Sequence, residues 1–241
     1  MFAFRDRRGP VELAFTDRHA GGAFPPGTPL NLSLRRDGAP VSGPESPGVD
    51  ALAGVFAGCA APVGLTQVHE GDVVVVDGGY DGRELVADAV VTATAGLPLM
   101  VRAADCVPVL LADPAAGVVG AAHAGRPGLV AEVVPHAVAA LRALGATRIE
   151  AWIGPHVCGA CYEVPVDMRA DVAAVVPEAL STTSWGTPAL DIGAGVRAQL
   201  DTLGVPHHCV DRCTREDDDL WSHRRSGPAA GRLAGLVVVV P

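Results

Sequence analysis

No lysine occurs anywhere in this chain of 241 residues; all 18 basic residues are arginine. That absence excludes a lysine Schiff base and a phosphate-loop lysine. An anion must instead be held by backbone N–H groups or by arginine, through its planar bidentate fork. Asparagine appears once, at Asn31, and glutamine twice, at Gln67 and Gln199. A surplus of basic charge is missing too: the formal net charge is −9, so nucleic acid is not an expected partner. No apolar run approaches the ~20 residues that span a bilayer, so no membrane partner is expected either. The opening Met1-Phe2-Ala3-Phe4-Arg5-Asp6-Arg7-Arg8 lacks the apolar core of a secretory signal, which makes the cytoplasm the expected location. The six cysteines (59, 106, 158, 161, 209 and 213) are accordingly expected as thiols or ligands, not as a disulfide framework.

What is present is a series of short apolar runs. Residues 1–48 are rich in Gly, Pro and Arg, with strand candidates at 11–15 and 30–34 and a loop over 38–47. A helix is expected over 50–59 and a strand over 73–77. Three or four strands should follow between Asp88 and Ala122, with a hairpin turn at Asp113-Pro114-Ala115-Ala116-Gly117. A helix is expected from Gly125 to Leu144, where Pro135 either kinks it or marks its true start. A strand at 148–153, helices at 167–176 and 191–203 with Asp191 as N-cap, and strands at 207–211 and 233–240 complete the pattern. No repeat, linker or regular βαβ rhythm appears. The expectation is a single domain over residues 1–241, α/β (α+β mixed), with mixed β-sheets flanked by helices in layers.

Three interruptions of the apolar runs carry chemistry. Gln67-Val68-His69-Glu70-Gly71-Asp72 precedes one strand, Asp105-Cys106 breaks a second, and His123-Ala124-Gly125 ends a third. His/Cys/His suits zinc with one coordination position left open for chemistry. The long gaps between them fit a catalytic site built from separate strands, and equally fit three unrelated residues. His69 alone reads as an exposed turn residue. Asp105 needs a partner if buried, and Arg102, on the opposite strand face, is not an obvious one. Cys158-Gly159-Ala160-Cys161, near His156, is a competing metal or redox candidate, but no second Cys-x-x-Cys completes a four-cysteine site. Cys209 and Cys213 read as buried thiols. Trp221-Ser222-His223-Arg224-Arg225 reads as a charged surface loop or, through its arginines and hydroxyl, as a phosphate holder.

These strings together resemble the YfiH-type family, also called laccase-domain or polyphenol-oxidase-like proteins and understood as purine nucleoside phosphorylases. The resemblance runs through Gln67-Val68-His69, Ala87-Asp88-Ala89, Ala104-Asp105-Cys106-Val107-Pro108-Val109, His123-Ala124-Gly125, Cys161-Tyr162-Glu163-Val164, Asp211-Arg212-Cys213-Thr214 and Ser222-His223-Arg224-Arg225. It implies a YfiH-like layered domain with one zinc on His69, Cys106 and His123. It also implies phosphorolysis of adenosine, inosine, guanosine and S-methyl-5′-thioadenosine, with deamination of adenosine, by a monomer or homodimer whose partners are purine nucleosides and phosphate. The familiar zinc-deaminase motif, His-x-Glu followed by Pro-Cys-x-x-Cys, is absent. Within this resemblance Cys106, Asp105 and Arg224 are candidate catalytic groups, and Arg224, as phosphate holder, Asn31 and Ser222 are candidate substrate contacts. Two departures stand out: Arg126-Pro127-Gly128 replaces the usual Trp-Arg-Gly after His-Ala-Gly, and the family's early Asn-Arg pair has no counterpart. The alternatives are a copper-dependent polyphenol oxidase, a cysteine hydrolase built on Cys106, and a ligand-binding protein without turnover.

Overall fold

The structure, a computed structural model, describes residues 1–19, 28–33, 35–36, 39–40, 52 and 54–241. Its strands are β1 (Phe2–Arg8), β2 (Val11–Thr16), β3 (Arg35–Arg36), β4 (Ala39–Pro40), β5 (Val73–Val75), β6 (Ala89–Thr92) and β7 (Leu99–Ala103). They continue with β8 (Val107–Asp113), β9 (Val118–Ala124), β10 (Glu150–Ile153), β11 (Leu180–Thr182), β12 (Pro188–Leu190), β13 (His207–Cys209) and β14 (Leu233–Val239). The helices are α1 (Arg126–Val130), α2 (Val133–Ala143), α3 (Val166–Val175), α4 (Ile192–Thr202) and α5 (His223–Ser226). No described helix is long and apolar enough to cross a membrane.

Two sheets carry the fold, one in the order β1-β2-β14-β7 and one in the order β13-β10-β8-β9-β6-β5. The second is mixed: β5 runs parallel to β6 and β10 to β13, while the other neighbours are antiparallel. Side chains alternate along each strand, so every central strand feeds two cores. Val118 and Ala122 of β9 join Val133, Ala137, Val138, Leu141 and Val196 beneath the helices. Val119 and Ala121 of the same strand meet Leu13, Phe15, Val101 and Val237 between the sheets. A third cluster, with Met100, Leu236 and Val238, lies under Leu30, Leu32, Leu52 and Phe56. The result is the expected α/β layered arrangement of mixed sheets and helices. α2 lies so close on β9 that a Cβ at Gly120 would sit 2.8 Å from Leu141 Cδ1.

The β8–β9 hairpin is fixed by one side chain. Asp113 Oδ1 accepts from the backbone of Ala115 and Ala116, and Oδ2 from that of Thr147 and Arg148, which also ties the turn to the approach to β10. Asp191 caps α4 as expected, accepting from Ala194 N at 2.7 Å.

Several expectations are corrected. The helix expected over 125–144 is two helices, because Glu132 takes a left-handed φ of 56°. Pro135 falls in the first turn of α2, where a missing N–H costs no intrahelical bond, so it marks the start and kinks nothing. The described residues of 50–59 form turns instead of a helix, and residues 28–33 form no strand. Leu30 and Leu32 instead donate backbone bonds to Arg18 and Arg232 as a covering segment. Phe2–Arg8 forms β1 although its Arg-rich sequence carries no strand pattern; at the sheet edge its outward side chains need no apolar alternation. Most of the loop expected over 38–47 lies outside the described residues, although Ala39–Pro40 pairs with β3.

Candidate metal centre

The hairpin sets Pro108 opposite His123, so Cys106, just before β8, comes beside the end of β9. β6 flanks β9 on the other side with Ala89 opposite Ala122, which places Asp88 beside His123. His123 N donates to Asp88 O at 2.7 Å, and His123 Nδ1 shares a proton with Asp88 Oδ1 at 2.8 Å. By strand parity His123 continues the Val119/Ala121 face, which looks towards the other sheet. Both members of the pair are buried, Asp88 completely.

Asp88 does a second job. Its Oδ2 accepts from Val68 N at 3.1 Å and Glu70 N at 2.8 Å, clamping the turn that bears His69. His69 takes a left-handed φ of 65°, a conformation non-glycine residues adopt only when their surroundings hold them there. Gln67 extends the clamp by pairing like a strand residue with Arg102, donating to Arg102 O and accepting from Arg102 N, each at 2.8 Å. The outcome is that His69, Cys106 and His123 offer ligand atoms all within 4.8 Å of one another. His69 Nε2 lies 3.9 Å from Cys106 Sγ, and the two imidazoles meet edge to face. Gly125 makes the room: a Cβ there would sit 2.7 Å from His69 Cδ2 and 3.2 Å from Cys106 Sγ.

The electrostatics favour a cation. Burial alone would raise the Cys106 thiol, but the charge and hydrogen bond of His123, with help from His69, outweigh it and bring it down to about 6. Burial would lower His123, yet the Cys106 thiolate and Asp88 hold it well above the usual imidazole range. Asp88 is pushed up by its burial and pulled further down by its hydrogen bonds to His123 and the His69 turn, so it stays ionised. An ionised carboxylate on Nδ1 leaves Nε2 of His123 for a metal, the usual way a ligating histidine is oriented. The donor set therefore fits a metal ion.

The remaining expected residues fall around this centre in different ways. Asp105, at φ 91° and almost fully buried, has both carboxylate oxygens occupied: Thr214 Oγ1 donates to one and Arg224 N to the other, each at 2.6 Å. Arg102 is indeed not its partner; its guanidinium donates to Leu65 O. Arg224 lies with its guanidinium 4.5 Å over the Tyr162 ring and donates to Glu163 O at 2.7 Å. It also lines a cleft of about 460 Å³ with Glu163, Pro165, Trp185 and Arg215. The Tyr162 phenol is raised by burial and by the Cys106 thiolate, with Arg224 and Arg126 pulling the other way, so four charged or polar groups converge here. Arg126, at the departure from the family motif, directly follows Gly125, the residue packed against His69 and Cys106. Ser222 is fully buried, and its hydroxyl caps α5 by accepting from Arg225 N at 3.1 Å. Asn31 is exposed; its Oδ1 accepts from Ser33 N and Arg232 N.

Asp88 and Tyr162 are the residues whose part the sequence did not disclose. A carboxylate within the apolar run Val86–Thr92 was the available signal, since a buried charge demands partners.

Similar proteins cover the whole of this arrangement. A purine nucleoside phosphorylase of Streptomyces griseus is 53% identical over 95% of this chain and 94% of its own length. A second, from Streptomyces coelicolor, is 50% identical over 98% and 99%. Among solved structures, a Neisseria meningitidis protein superposes with a TM-score of 0.82 at 28% identity, covering 98% of both chains. YlmD from Geobacillus stearothermophilus gives 0.80 at 28% identity over the full length of both. Residues 12–240 match the family described as multi-copper polyphenol oxidoreductase laccase, and the chain belongs to that laccase-like, YfiH-type family.

Proposed function

We propose that this chain is a zinc-dependent purine nucleoside phosphorylase acting on adenosine, inosine, guanosine and S-methyl-5′-thioadenosine, with adenosine deaminase activity at the same site. The observation that carries the reading is an Asp88-oriented His/Cys/His centre tied, through Asp105 beside Cys106, to Arg224 and the Tyr162 ring under it. The names of the relatives support it. His69, Cys106 and His123 would hold the ion, which when bound supplies Lewis-acid activation at the reacting centre.

The chain's own residues do the rest. Phosphorolysis needs a phosphate oxygen to reach C1′ as the bond to the purine nitrogen breaks and the base leaves. Arg224 holds the phosphate; its guanidinium is steadied by Tyr162 and Glu163 O, and its backbone by Asp105. Asp105, with both oxygens engaged, is a positioning residue that fixes Arg224 beside Cys106. Ser222 acts the same way, by capping the short helix that carries Arg224. Asn31 keeps its amide N–H groups to offer a nucleoside. The whole chain works as one domain in the cytoplasm, as a monomer or homodimer.

Copper is the competing metal, since a His₂Cys donor set also suits it. A multicopper oxidase, however, needs several linked copper centres, and the second metal-capable cluster among the described residues contains no histidine.

Purified protein given adenosine and phosphate should yield adenine and ribose 1-phosphate; without phosphate it should yield inosine only. Arg224→Ala should slow phosphorolysis by roughly ten- to a hundredfold, one charge-assisted contact of ~1.5–3 kcal/mol, and spare deamination. Adenine released at an undiminished rate without phosphate makes the enzyme a hydrolase. Turnover surviving metal removal but not thiol alkylation makes it a cysteine hydrolase. Bound metal with no turnover on any nucleoside makes it a binding protein.

A further inference from the structure

A second group of ligand atoms lies outside this centre. Cys158, Cys161, Cys213 and Glu216 each offer one donor atom, all within 4.8 Å of one another. Half of it, the Cys158-x-x-Cys161 pair, is visible in the sequence, which holds no second Cys-x-x-Cys. The structure supplies Cys213-Thr214-Arg215-Glu216 instead, the same spacing with a carboxylate in the last place.

Both pairs sit on tight turns that face each other. Cys161 N donates to Cys158 O at 3.0 Å, and Glu216 N to Cys213 O at 3.2 Å. The bridge between His156 and Cys213 holds the turns in register. Cys158 N points at Cys213 Sγ from 3.5 Å, as backbone amides do towards a metal-bound thiolate. All three cysteines are free thiols. Burial raises the Cys161 thiol first, then its hydrogen bond with Cys158 and the crowding of Cys213, Cys158 and Glu216 raise it further. A divalent ion binds donors placed this way by displacing the thiol protons and neutralising the thiolates.

We infer that Cys158, Cys161, Cys213 and Glu216 form a closed, four-ligand zinc site, separate from the His/Cys/His centre and structural in character. Three sulfurs and one oxygen complete a tetrahedron, leaving no position for substrate. Tetrahedral bonds of ~2.3 Å put sulfurs ~3.8 Å apart, so the cluster closes by about 1 Å at most on binding. A soft thiolate set of this kind selects zinc over magnesium, calcium or manganese.

The site's place in the fold gives it a task. Thr214, inside the second turn, donates to Asp105, and Tyr162 directly follows Cys161. Arg215 of the second turn donates to Cys161 O at 3.1 Å and lines the cleft with Arg224. A metal joining the two turns therefore staples together the groups that position Asp105, Tyr162 and Arg224. This assignment holds whichever reaction the first centre performs.

Elemental analysis of the full chain, purified without chelator, tests it. Wild type should carry about two zinc ions per chain, and Cys106→Ala, with the first centre disabled, should keep about one. Cobalt exchanged into Cys106→Ala should show the intense near-ultraviolet absorption of several thiolate–cobalt bonds, and adding Cys158→Ser should remove it. A metal-free Cys106→Ala protein overturns the inference. So does a thiol titration of the denatured, metal-stripped chain that finds two of its cysteines oxidised to a disulfide. If Cys158→Ser fails to fold, the metal count and cobalt spectrum of Cys106→Ala decide the matter alone.

Discussion

The two thiolate clusters differ in scaffold, burial and electrostatics, and the differences sort their roles. The His69/Cys106/His123 centre gathers a turn residue and two residues at the ends of β8 and β9, with His69 exposed and a thiol drawn down to about 6. The Cys158/Cys161/Cys213/Glu216 cluster sits on two turns, and burial and neighbouring thiols drive Cys158 and Cys161 up. In the first, His123 and His69 draw the sulfur towards its thiolate form before any metal arrives, and three donors leave a fourth position for chemistry. In the second, the Cys158 and Cys161 thiols are raised and four donors together close the sphere. A preorganised, open site suits reaction; a site assembled by its metal suits holding chain segments together.

The largest effect that could break this contrast is on activity. Cys106→Ala should reduce nucleoside turnover to background while leaving the unfolding midpoint nearly unchanged, as calorimetry and a phosphorolysis assay would report. Cys213→Ser should do the reverse in kind: it should cost about 3 kcal/mol, or roughly 6–12 °C in Tm for a chain of this size. Some turnover should remain in Cys213→Ser below that midpoint. If the two variants show the same pattern, the division into reactive and structural sites is wrong.

Smaller effects sharpen it. Asp88→Asn keeps the shape but not the charge, so zinc affinity at the first centre should fall ~10- to 100-fold, while the thiolate-rich cluster retains its ion. Competition with a chromogenic chelator separates the two, and an equal loss from both removes Asp88 from its orienting role. The smallest effect is one of reactivity. In metal-stripped protein at pH 7, iodoacetamide should label Cys106 well ahead of Cys158 and Cys161, because only the thiolate is nucleophilic. The depressed group is ionised above its value and protonated below it, so Cys106 labelling should fade as pH drops through about 6. The raised thiols should gain reactivity only on the alkaline side of the usual range. Peptide mapping after brief labelling across pH 5 to 10 reads both limbs.

The two clusters were unequally legible. His69, Cys106 and His123 stand out because each breaks an apolar run, and the Asp113 turn told which strands would be neighbours. Asp88 was no less visible as a residue, yet its role depends on β6 pairing with β9 across a long sequence separation. Ser222 looked like an exposed hydroxyl in a charged loop; that it is buried under a cap depends on how the loop folds back. Glu216 lies in a run of acidic residues, Glu216-Asp217-Asp218-Asp219, where nothing local distinguishes it from solvated surface. Only the turn that brings it opposite Cys158 and Cys161 makes it a ligand.

By itself, then, the sequence indicated the layers and picked out His69, Cys106 and His123 as candidates. Strand-length apolar runs, a hairpin signal and polar interruptions at their ends are local features, governed by periodicity and turn chemistry that act over a few residues. The tertiary structure decided which carboxylate orients His123, where Asp105 spends its oxygens, how α1 and α2 divide, and that a lone Cys-x-x-Cys meets a Cys-x-x-Glu. Apart from the division of α1 and α2, which turns on the left-handed Glu132, those outcomes rest on contacts between residues 35 to 119 positions apart, such as Asp88 with His123 and Asp105 with Arg224. Long-range pairing of that kind is set by how sheets and turns bury their surfaces together, and no local pattern encodes it.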